Sequence, residues 1–399
     1  METIMILGGS ILQLPAIKKA IKKGLKVIVV DMDPDAIGFK ESGVIKEVIS
    51  TIDIPKVLDA ARRHKIDGIM TLASDMPIRT IAVVSKELGL VGVSEDTALK
   101  TTNKGYMRNA LLEDNVPIPD FYNVSIKEKY LEAVSSIQKN NFKCIVKPSD
   151  NSGSRGVTLI TNYESDDIEK AYEHAKQYSR SGGIIVEEYM EGPEVSVETL
   201  TIDSVCHVIQ ITDKLTTGAP YFVEMGHSQP SQLPKEIISK IKDVAKRANH
   251  AVGIKNGPSH TEIKVTKNGP KIVELGARLG GDCITTHLVP LSTGVDMVEC
   301  CINIALGKEI DYDPKIKKAS AIRYVNSKSG KIKSIEGIEE AYIEGIKQIS
   351  IVHGVGDYAK EIQSSTDRVA FVIAQMDSVS EAICQCEKAI NQINYVVGD

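Results

Sequence analysis

A lysine and the polar loop that follows it form the first group of residues that could do chemistry. Lys147 ends an apolar, strand-like stretch. The loop after it contains Ser152, Gly153, Ser154, Arg155 and Gly156. Backbone N–H groups in such a loop can surround an anion, and glycine permits a close approach. The lysine precedes the glycines and no helix begins after them, so this is not a Walker A loop. The segment therefore predicts either a phosphate site with Lys147 as its point charge or a surface hairpin.

An acidic connector lies about forty residues further on. A strand ends near Glu187 and Glu188, and the chain then passes through Met190 to Glu194. Exposed backbone groups at such a connector can read the edge of an adenine, and the carboxylate of Glu194 can accept hydrogen bonds from two ribose hydroxyls. The alternative is a solvated acidic turn.

Two further glutamates lie in neighbouring strand-like runs. Glu262 and Glu274 flank the hairpin signal of residues 267–270, so both side chains can point to one face of adjacent strands. Two facing carboxylates repel each other unless a cation lies between them. Hard oxygen ligands together with phosphates describe a Mg²⁺ site. The alternative is a pair of glutamates that face solvent.

Arg278 follows the second of these glutamates by four residues, within a glycine-containing segment that runs from Gly276 to Asp282. An arginine beside a metal carboxylate could reach an oxyanion as it develops. The alternative is a surface turn with one exposed arginine.

The bulk composition narrows the class of protein. The chain has 399 residues, 42% hydrophobic and 25% charged, with a net charge of -5 and a pI near 6.0. This balance predicts a soluble protein of two to four domains and does not favour nucleic acid or an anionic membrane as a partner. No apolar run approaches the length of a membrane span, and the N-terminus has no signal-peptide features. Seven scattered cysteines indicate reduced thiols and a cytoplasmic location.

The elements that must position these residues begin with an alternating region. Apolar strands at 3–7, 27–30 and 68–72 alternate with helices at 14–23, 55–64 and 76–88, which predicts a doubly wound parallel sheet. Gly8 and Gly9 form a strand-to-helix turn, but the GxGxxG pattern of a dinucleotide site is missing, although Asp31 would suit a ribose. Ser74, Asp75 and Arg79 follow the end of a strand and are expected to line a substrate cleft.

In the rest of the chain, the pattern of residue types changes at two places. Prolines at 117 and 119 mark a linker, and the strands and helices that follow form a small lobe. From residue 195, alternating strands and a helix at 235–252 form a second, larger lobe. We predict an N-terminal domain at 1–100, a linker and lid lobe at 101–190, a large lobe with the metal site at 191–310, and a C-terminal cap at 311–399.

In their order along the chain, these features resemble the ATP-grasp superfamily in its biotin carboxylase-like arrangement, over roughly residues 1–310. The segments around Gly257–Glu262 and Gly226-His227 look most like L-amino-acid ligases, and the tail around Arg323 resembles the C-terminal cap of that group. The resemblance implies α/β and α+β architecture, with a two-lobed ATP-grasp domain between the parallel-sheet domain and the cap.

The resemblance also implies roles for individual residues. Lys104 and Lys147 would contact the ATP phosphates, with the loop at 152–156 closing over them. Glu187, Glu188 and Met190 would form the adenine connector, and Glu194 would hold the ribose. Glu262 and Glu274 would bind Mg²⁺, expected as two ions that Mn²⁺ can replace, and Arg278 would steady an acyl phosphate. Many members carry asparagine where this sequence has Gly276, which leaves the ligands of the second ion open.

The function that this resemblance implies is ATP-dependent ligation of a carboxylate to an amine, with amino acids as the expected substrates and an acyl phosphate as intermediate. His227 is the candidate for amine contact or deprotonation, and Lys214 and His260 are weaker candidates. The expected assembly is a homodimer. A carboxylase or formyl-phosphate enzyme acting on bicarbonate, formate or a purine intermediate, an NAD-dependent oxidoreductase, and a regulatory nucleotide-binding protein remain alternatives.

Overall fold

The N-terminal region is a four-stranded parallel sheet. The computed structural model describes residues 1–140, 142–151, 153 and 155–398. The sheet contains β1 (Thr3–Leu7), β2 (Lys26–Asp31), β3 (Val44–Val48) and β4 (Gly68–Met70), with helices α1 (Leu14–Lys22), α2 (Ile54–His64) and α3 (Ile78–Leu88). Its order is β3-β2-β1-β4. The side chains of β1 are all buried, as expected for a parallel strand covered on both faces. The predicted parallel sheet is therefore confirmed.

The loops that follow β1 and β4 meet at the point where the strand order reverses. In open α/β sheets, this edge is where ligands bind. The Gly9 backbone N–H donates a hydrogen bond to Asp31 Oδ2 (2.6 Å). Asp31, the acid that a dinucleotide site would offer to a ribose, is thus used to hold the glycine turn.

Three elements of this region are absent from the sequence-based prediction. They are strand β3 and the helices α4 (Glu95–Lys100) and α5 (Lys104–Glu113). Strand β3 is an edge strand with polar residues on its exposed side, so its sequence lacks the continuous apolar run that identifies β1 and β2. Helix α5 begins at an Asn103 cap whose side-chain oxygen accepts from the Gly105 N–H, and its weak amphipathic pattern hides it.

The small lobe is an antiparallel sheet covered on one face by two helices. Its strands are β5 (Phe121–Val124), β6 (Cys144–Pro148), β7 (Thr158–Ile160) and β8 (Ile184–Glu188), and its helices are α6 (Lys127–Lys139) and α7 (Ser165–Tyr178). The strand order is β5-β8-β6-β7. Tyr130, which is fully buried, packs against Tyr172 of α7 and anchors α6 to the lobe. This packing fixes β6, which carries Lys147 at its end.

The large lobe and the C-terminal region share one sheet. The lobe contains β9 (Glu194–Ile202), β10 (Val205–Thr216), β11 (Glu224–Gln229), α8 (Lys235–Val252), β12 (Gly257–Thr266), β13 (Gly269–Gly276), a π-helical turn (Ile284–Leu288), α9 (Val289–Thr293) and α10 (Met297–Ala305). The C-terminal region contains β14 (Ala319–Val325), β15 (Gly330–Glu336), β16 (Ile346–Ile351), β17 (Tyr358–Ala359), β18 (Ala370–Met376), α11 (Val379–Ile390) and β19 (Asn394–Gly398). The eight strands run in the order β13-β12-β9-β10-β11-β14-β18-β16. The sheet therefore continues across the boundary that the sequence suggests at residue 310.

The remaining three strands form a small sheet in the order β17-β15-β19. Helix α11 packs on β14 and β18, and its capping box at Ser378 and Glu381 fixes where it begins. Within the described residues, no single helix is both long and apolar enough to cross a membrane. In the same part of the chain, only the bent pair Ile284–Thr293 and Met297–Ala305 meets the length and composition test, jointly and across a turn of 115°.

The connector between the lobes is tightly packed around Gly192. Its φ is +135°, and a Cβ placed there would lie 2.0 Å from the carbonyl oxygen of Val265. We expect Gly192→Ala to lower the melting temperature clearly, since backbone strain of about 1–3 kcal/mol is joined by a steric clash. Gly269→Ala is the control, because its φ is +103° and no atom lies within 4 Å of the added Cβ. Equal shifts in the two variants would show that the connector adapts.

Candidate active site

A cleft of about 570 Å³ lies between the small lobe and the large sheet and gathers most of the predicted site residues. Those that line it are Asp75, Lys104, Lys147, Gly153, Arg155, Glu187, Glu188, Met190, Glu194, Lys214, His227, His260, Glu262, Glu274 and Arg278. The predicted residues Ser152 and Ser154 lie outside the described part of the chain. Ser74, Arg79 and Gly156 are described but do not belong to the lining, and the side chain of Arg79 donates to Thr102 instead.

Lys147 is held in place by a buried carboxylate. Its Nζ lies 2.6 Å from Glu187 Oε2, while Arg108 Nε donates to Glu187 Oε1 (2.6 Å). Burial alone would raise the pKa of Glu187, but Arg108 and Lys147 outweigh it and lower that pKa to about 2. The side chain of Glu187 therefore holds the lysine and arginine together rather than contacting a base. Two cations against one anion leave this end of the cleft positive, as a phosphate site requires.

Two backbone N–H groups of the connector after β8 already form hydrogen bonds within the small lobe. The backbone N–H of Glu188 donates to the carbonyl of Asp120 (2.9 Å), and that of Tyr189 donates to the carbonyl of Lys143 (2.8 Å). These two N–H groups cannot also read an adenine. The predicted contact through the connector thus shifts toward Met190, which lines the cleft and is buried.

Lys104 joins three parts of the site. It starts helix α5, and its Nζ donates to the carbonyl of Asn151 (2.7 Å) in the glycine-containing loop and to Glu274 Oε1 (2.8 Å). One lysine therefore connects a helix N-terminus, the glycine-containing loop and one of the two facing glutamates.

The two predicted metal carboxylates lie opposite each other. Glu262 and Glu274 are register partners on the neighbouring strands β12 and β13, and both remain partly exposed to the cleft. Lys214 Nζ lies 2.9 Å from Glu262 Oε1 and 2.7 Å from Glu194 Oε1. Burial would raise the pKa of Glu262, but Lys214 and His260 hold it well below its usual range. The glutamate is therefore ionised and available as an oxygen ligand.

This donor set fits Mg²⁺ bound together with a nucleotide. Within the described residues, no three His, Cys, Asp or Glu side chains are arranged to hold a metal by themselves. Mg²⁺ is commonly held by one or two carboxylates while phosphates and water complete its shell. Glu262 and Glu274 supply that pair of carboxylates.

The two weaker candidates for proton transfer, Lys214 and His260, do not suit that role. Lys214 is buried among Glu194, Glu224 and Glu262, and these carboxylates raise its pKa well above the usual value despite its burial. A permanently charged ammonium cannot accept a proton. His260 Nδ1 lies 2.5 Å from Glu198 Oε1, and this carboxylate overcomes the effect of burial and raises the pKa of His260 to about 9. Both residues act here as positive charges beside Glu262.

Arg278 is paired with Asp75 of the N-terminal domain. Its Nε lies 2.8 Å from Asp75 Oδ1 and its Nη2 lies 3.2 Å from Asp75 Oδ2. Burial would lower the pKa of Arg278, but Asp75 raises it further above its ordinary value, so the guanidinium is always charged. The structure thus places Arg278 at the cleft with its direction set by a residue about two hundred positions away.

The C-terminal region also reaches the cleft, through its contact with Asp282. Arg368 donates through both Nη atoms to Asp282 (2.9 Å each), and its guanidinium lies 3.8 Å from the centre of the Tyr324 ring. His227 Nε2 lies 3.3 Å from Asp282 Oδ2. Burial would raise the pKa of Asp282, but His227 and Arg368 lower it. Asp282 is therefore ionised and joins the large lobe to the C-terminal region.

His227 is more enclosed than its predicted role requires. The residue is 1% exposed, and its Nδ1 is buried without a hydrogen-bond partner among the described residues. With Nε2 directed at Asp282 and Nδ1 buried, neither ring nitrogen is exposed to a substrate. The geometry favours His227 as a support for Asp282 rather than as the group that contacts or deprotonates an amine.

Several residues of the site are not recognisable from the sequence. Each of Arg108, Glu198, Glu224 and Asp282 contacts a predicted residue and Arg368 contacts Asp282, yet the motifs assign a role to none of them. Asp282 offers a local signal, because it follows two glycines and has a φ of +50° that few non-glycine residues adopt.

Comparison with known families assigns two parts of the chain. Residues 140–286 match the ATP-grasp domain, and residues 323–398 match the L-amino acid ligase C-terminal domain 2. The chain is 28% identical over 280 residues to alanine–anticapsin ligase of Bacillus subtilis (strain 168), which covers 65% of this chain and 58% of that protein. It is 25% identical over 432 residues to phosphoribosylamine–glycine ligase of Methanocaldococcus jannaschii, covering 98% of this chain and 93% of that protein. The chain thus spans less than two thirds of the length of the anticapsin ligase.

Solved structures show the same fold. The L-amino acid ligase from Bacillus licheniformis superposes with a TM-score of 0.85 at 23% identity and covers 100% of this chain and 99% of that one. The biotin carboxylase domain of Hydrogenobacter thermophilus 2-oxoglutarate carboxylase, solved with MgADP, has a TM-score of 0.77 at 15% identity and covers 99% and 91%. The predicted fold class and family resemblance are confirmed. The chain contains an ATP-grasp domain and an L-amino acid ligase C-terminal domain 2, and its curated relatives include ligases.

The buried contact that holds Lys147 can be tested by removing the charge of its partner. Glu187→Gln leaves Lys147 and Arg108 without their carboxylate, and we expect a loss of stability on the order of 3–5 kcal/mol. The measurement is urea unfolding followed by circular dichroism.

The matched control is Glu191→Gln, the same substitution four positions further along the chain. The side chains of Glu191 and its partner Lys143 are both more than half exposed, so we expect almost no change in stability. Similar losses in the two variants would contradict a structural role for the buried cluster.

Proposed function

We propose that this protein ligates a carboxylate to an amine, with amino acids as both substrates, and converts Mg-ATP to ADP and phosphate. The proposal rests on the set of side chains that line one cleft. It brings together two lysines for phosphates, two facing glutamates for Mg²⁺, an arginine held at their side, and two further carboxylates, Glu224 and Asp282. The match of residues 323–398 to the L-amino acid ligase C-terminal domain 2 supports amino acids as the substrates.

ATP is placed by groups that the lobes supply. Lys147 and Lys104 lie at the end of the cleft where the glycine-containing loop begins, and we assign them to the phosphates. We assign the adenine to the connector around Met190 and the ribose hydroxyls to Glu194, whose carboxylate is oriented by Lys214 (2.7 Å) and Lys264 (3.1 Å). A helix N-terminus at Lys104 adds further positive potential.

Glu262 and Glu274 are the residues that would hold Mg²⁺, which we expect as two ions that Mn²⁺ can replace. When bound, Mg²⁺ neutralises charge that develops on the phosphate oxygens. The protein's own contribution is to keep both carboxylates opposite each other, with Glu262 held in its ionised form.

The reaction that these groups support has two steps. An oxygen of the substrate carboxylate bonds to the γ-phosphorus as the bond to the ADP oxygen breaks, which yields an acyl phosphate. The nitrogen of the second substrate then bonds to the acyl carbon, the phosphate leaves with its bonding electrons, and the nitrogen loses a proton. Arg278 offers N–H donors to the acyl oxygen in the second step, because negative charge develops there as the nitrogen bonds to the acyl carbon.

The carboxylates of Glu224 and Asp282 at the cleft suit the ammonium group of an amino acid. Glu224 lines the cleft, is partly exposed, and lies 3.5 Å from Lys214. Asp282 is ionised beside it and fixed by Arg368, whose Nη1 also donates to the carbonyl of Glu224. An arginine on one side and carboxylates on the other complement the two charges of a zwitterion. We assign Glu224 to the ammonium group.

The proposal is tested by phosphate release with Mg-ATP against a matrix of amino-acid pairs, single amino acids, bicarbonate, formate and glycine with phosphoribosylamine. We expect release that depends on an amino-acid pair, with the dipeptide identified by mass spectrometry. Release that depends only on bicarbonate, formate or phosphoribosylamine would overturn the assignment of amino acids. Release with no acceptor dependence would contradict ligation.

Glu274→Gln should reduce turnover by about 100-fold or more, because the loss of one carboxylate weakens charge neutralisation by several kcal/mol. Mn²⁺ binding in the presence of ADP, followed by electron paramagnetic resonance, should weaken in parallel. Glu191→Gln serves as the control, since its exposed carboxylate lies outside the metal pair. Unchanged Mn²⁺ binding in Glu274→Gln would remove this residue from the metal site.

Arg278→Met should lower kcat for amide formation by about 100- to 1,000-fold, because a donor to the developing oxyanion is lost. The dissociation constant for Mg-ADP, measured by calorimetry, should change far less. Arg62→Met is the matched control, because Arg62 is exposed and pairs with Glu87 in the N-terminal domain. Equal losses in affinity and kcat would contradict the role of Arg278 at the acyl oxygen.

A further inference from the structure

Gly276 is a glycine for reasons of space rather than backbone conformation. It ends strand β13 and is not among the residues with positive φ, so another amino acid could adopt its backbone geometry. A Cβ added to it would lie 2.7 Å from Asp75 Oδ1 and 3.3 Å from Arg278 Nε. The region that a side chain at position 276 would occupy is therefore filled by the ion pair between Asp75 and Arg278.

That ion pair joins two domains with a fixed geometry. Asp75 lies in the loop after β4, where the backbone N–H of Ile78 donates to the Asp75 carbonyl (3.1 Å) and Ala73 has a φ of +53°. Both carboxylate oxygens contact the guanidinium, and each of the two side chains is 16% exposed. A two-point contact of this kind fixes the plane of a guanidinium as well as its position.

We propose that Asp75 is a positioning residue for Arg278, and that Gly276 leaves the space that admits the Asp75 carboxylate. The inference rests on the proposed function, because it assumes that Arg278 acts at the acyl oxygen. It also gives a physical reason for a glycine at this position. In this chain the N-terminal domain supplies the polar group at that place and directs it to the arginine.

The arrangement couples the substrate side of the cleft to the reaction. A displacement of about 1 Å in a group that acts on the transition state can cost about 100-fold in rate. Any movement of the loop after β4 would move the Arg278 guanidinium with it. Asp75 was expected from the sequence to line the substrate cleft, and this geometry gives it an indirect role through Arg278.

The test is a double-mutant cycle between Asp75→Ala and Arg278→Met. We expect Asp75→Ala to lower kcat by about 10- to 100-fold with the KM for ATP changed less than about threefold. In the Arg278→Met background, Asp75→Ala should have no further effect on kcat, because the group that it positions is gone. Independent, multiplying losses would overturn the proposal, as would a loss confined to KM.

Gly276→Ala supplies a second, independent arm. Alone it should lower kcat, because its Cβ displaces Asp75, whereas in the Asp75→Ala background the same change should have little effect. Equal effects in both backgrounds would show that Gly276 does not act by admitting Asp75. Melting temperatures of all variants identify any that fail to fold, and a conservative Asp75→Asn, which retains the shape, should lie between wild type and Asp75→Ala.

The wild-type enzyme separates this inference from the proposed function. If no amino-acid pair supports phosphate release, the ligase proposal fails, and the two cycles are then read on whichever carboxylate substrate supports turnover. If amino acids support release and the cycles are additive, the ligase proposal stands and the role of Asp75 fails.

Discussion

Glu262 and Glu274 face each other across adjacent strands, and their mutual repulsion has to be offset by positive charge. In this structure each carboxylate has a lysine within 3 Å, Lys214 for the first and Lys104 for the second. The two lysines come from different parts of the chain, one from strand β10 and one from the start of helix α5. These contacts thus bring a strand of the large lobe and the segment before the small lobe together at the two glutamates.

Charge balance also governs the end of the cleft near Lys147 and Arg108. There a single carboxylate, Glu187, is shared by two buried cations, and its pKa is lowered to about 2. Buried charges of this kind add little net stability, but removing one partner leaves the others unpaired at a high cost. The cluster therefore fixes where Lys147 points more than it stabilises the lobe.

The C-terminal region is part of the site because it is part of the sheet. Strand β14 pairs with β11, which carries His227, and strand β18 extends the same sheet. Arg368 precedes β18 and reaches Asp282 at the cleft, so strand pairing sets the position of the Arg368–Asp282 pair. Two walls of the cleft are thereby held by arginine–aspartate pairs, one made with each flanking domain.

The sequence by itself determined the features that depend on neighbours along the chain. The buried strands of the first sheet, the hairpin that sets Glu262 against Glu274, and the lysine before a glycine-containing loop are all local patterns, and the structure contains each of them. The edge strand β3 and helix α5 escaped prediction because their side chains lack a clear apolar period.

Only the tertiary structure decided which charges meet. Arg108 and Glu187 are 79 positions apart, Asp282 and Arg368 are 86 apart, and Asp75 and Arg278 are 203 apart. A single sequence offers many carboxylates for each arginine, and no local spacing distinguishes among them. The choice follows from sheet order and domain packing, which bring one particular partner within hydrogen-bonding distance and bury the pair away from competing water.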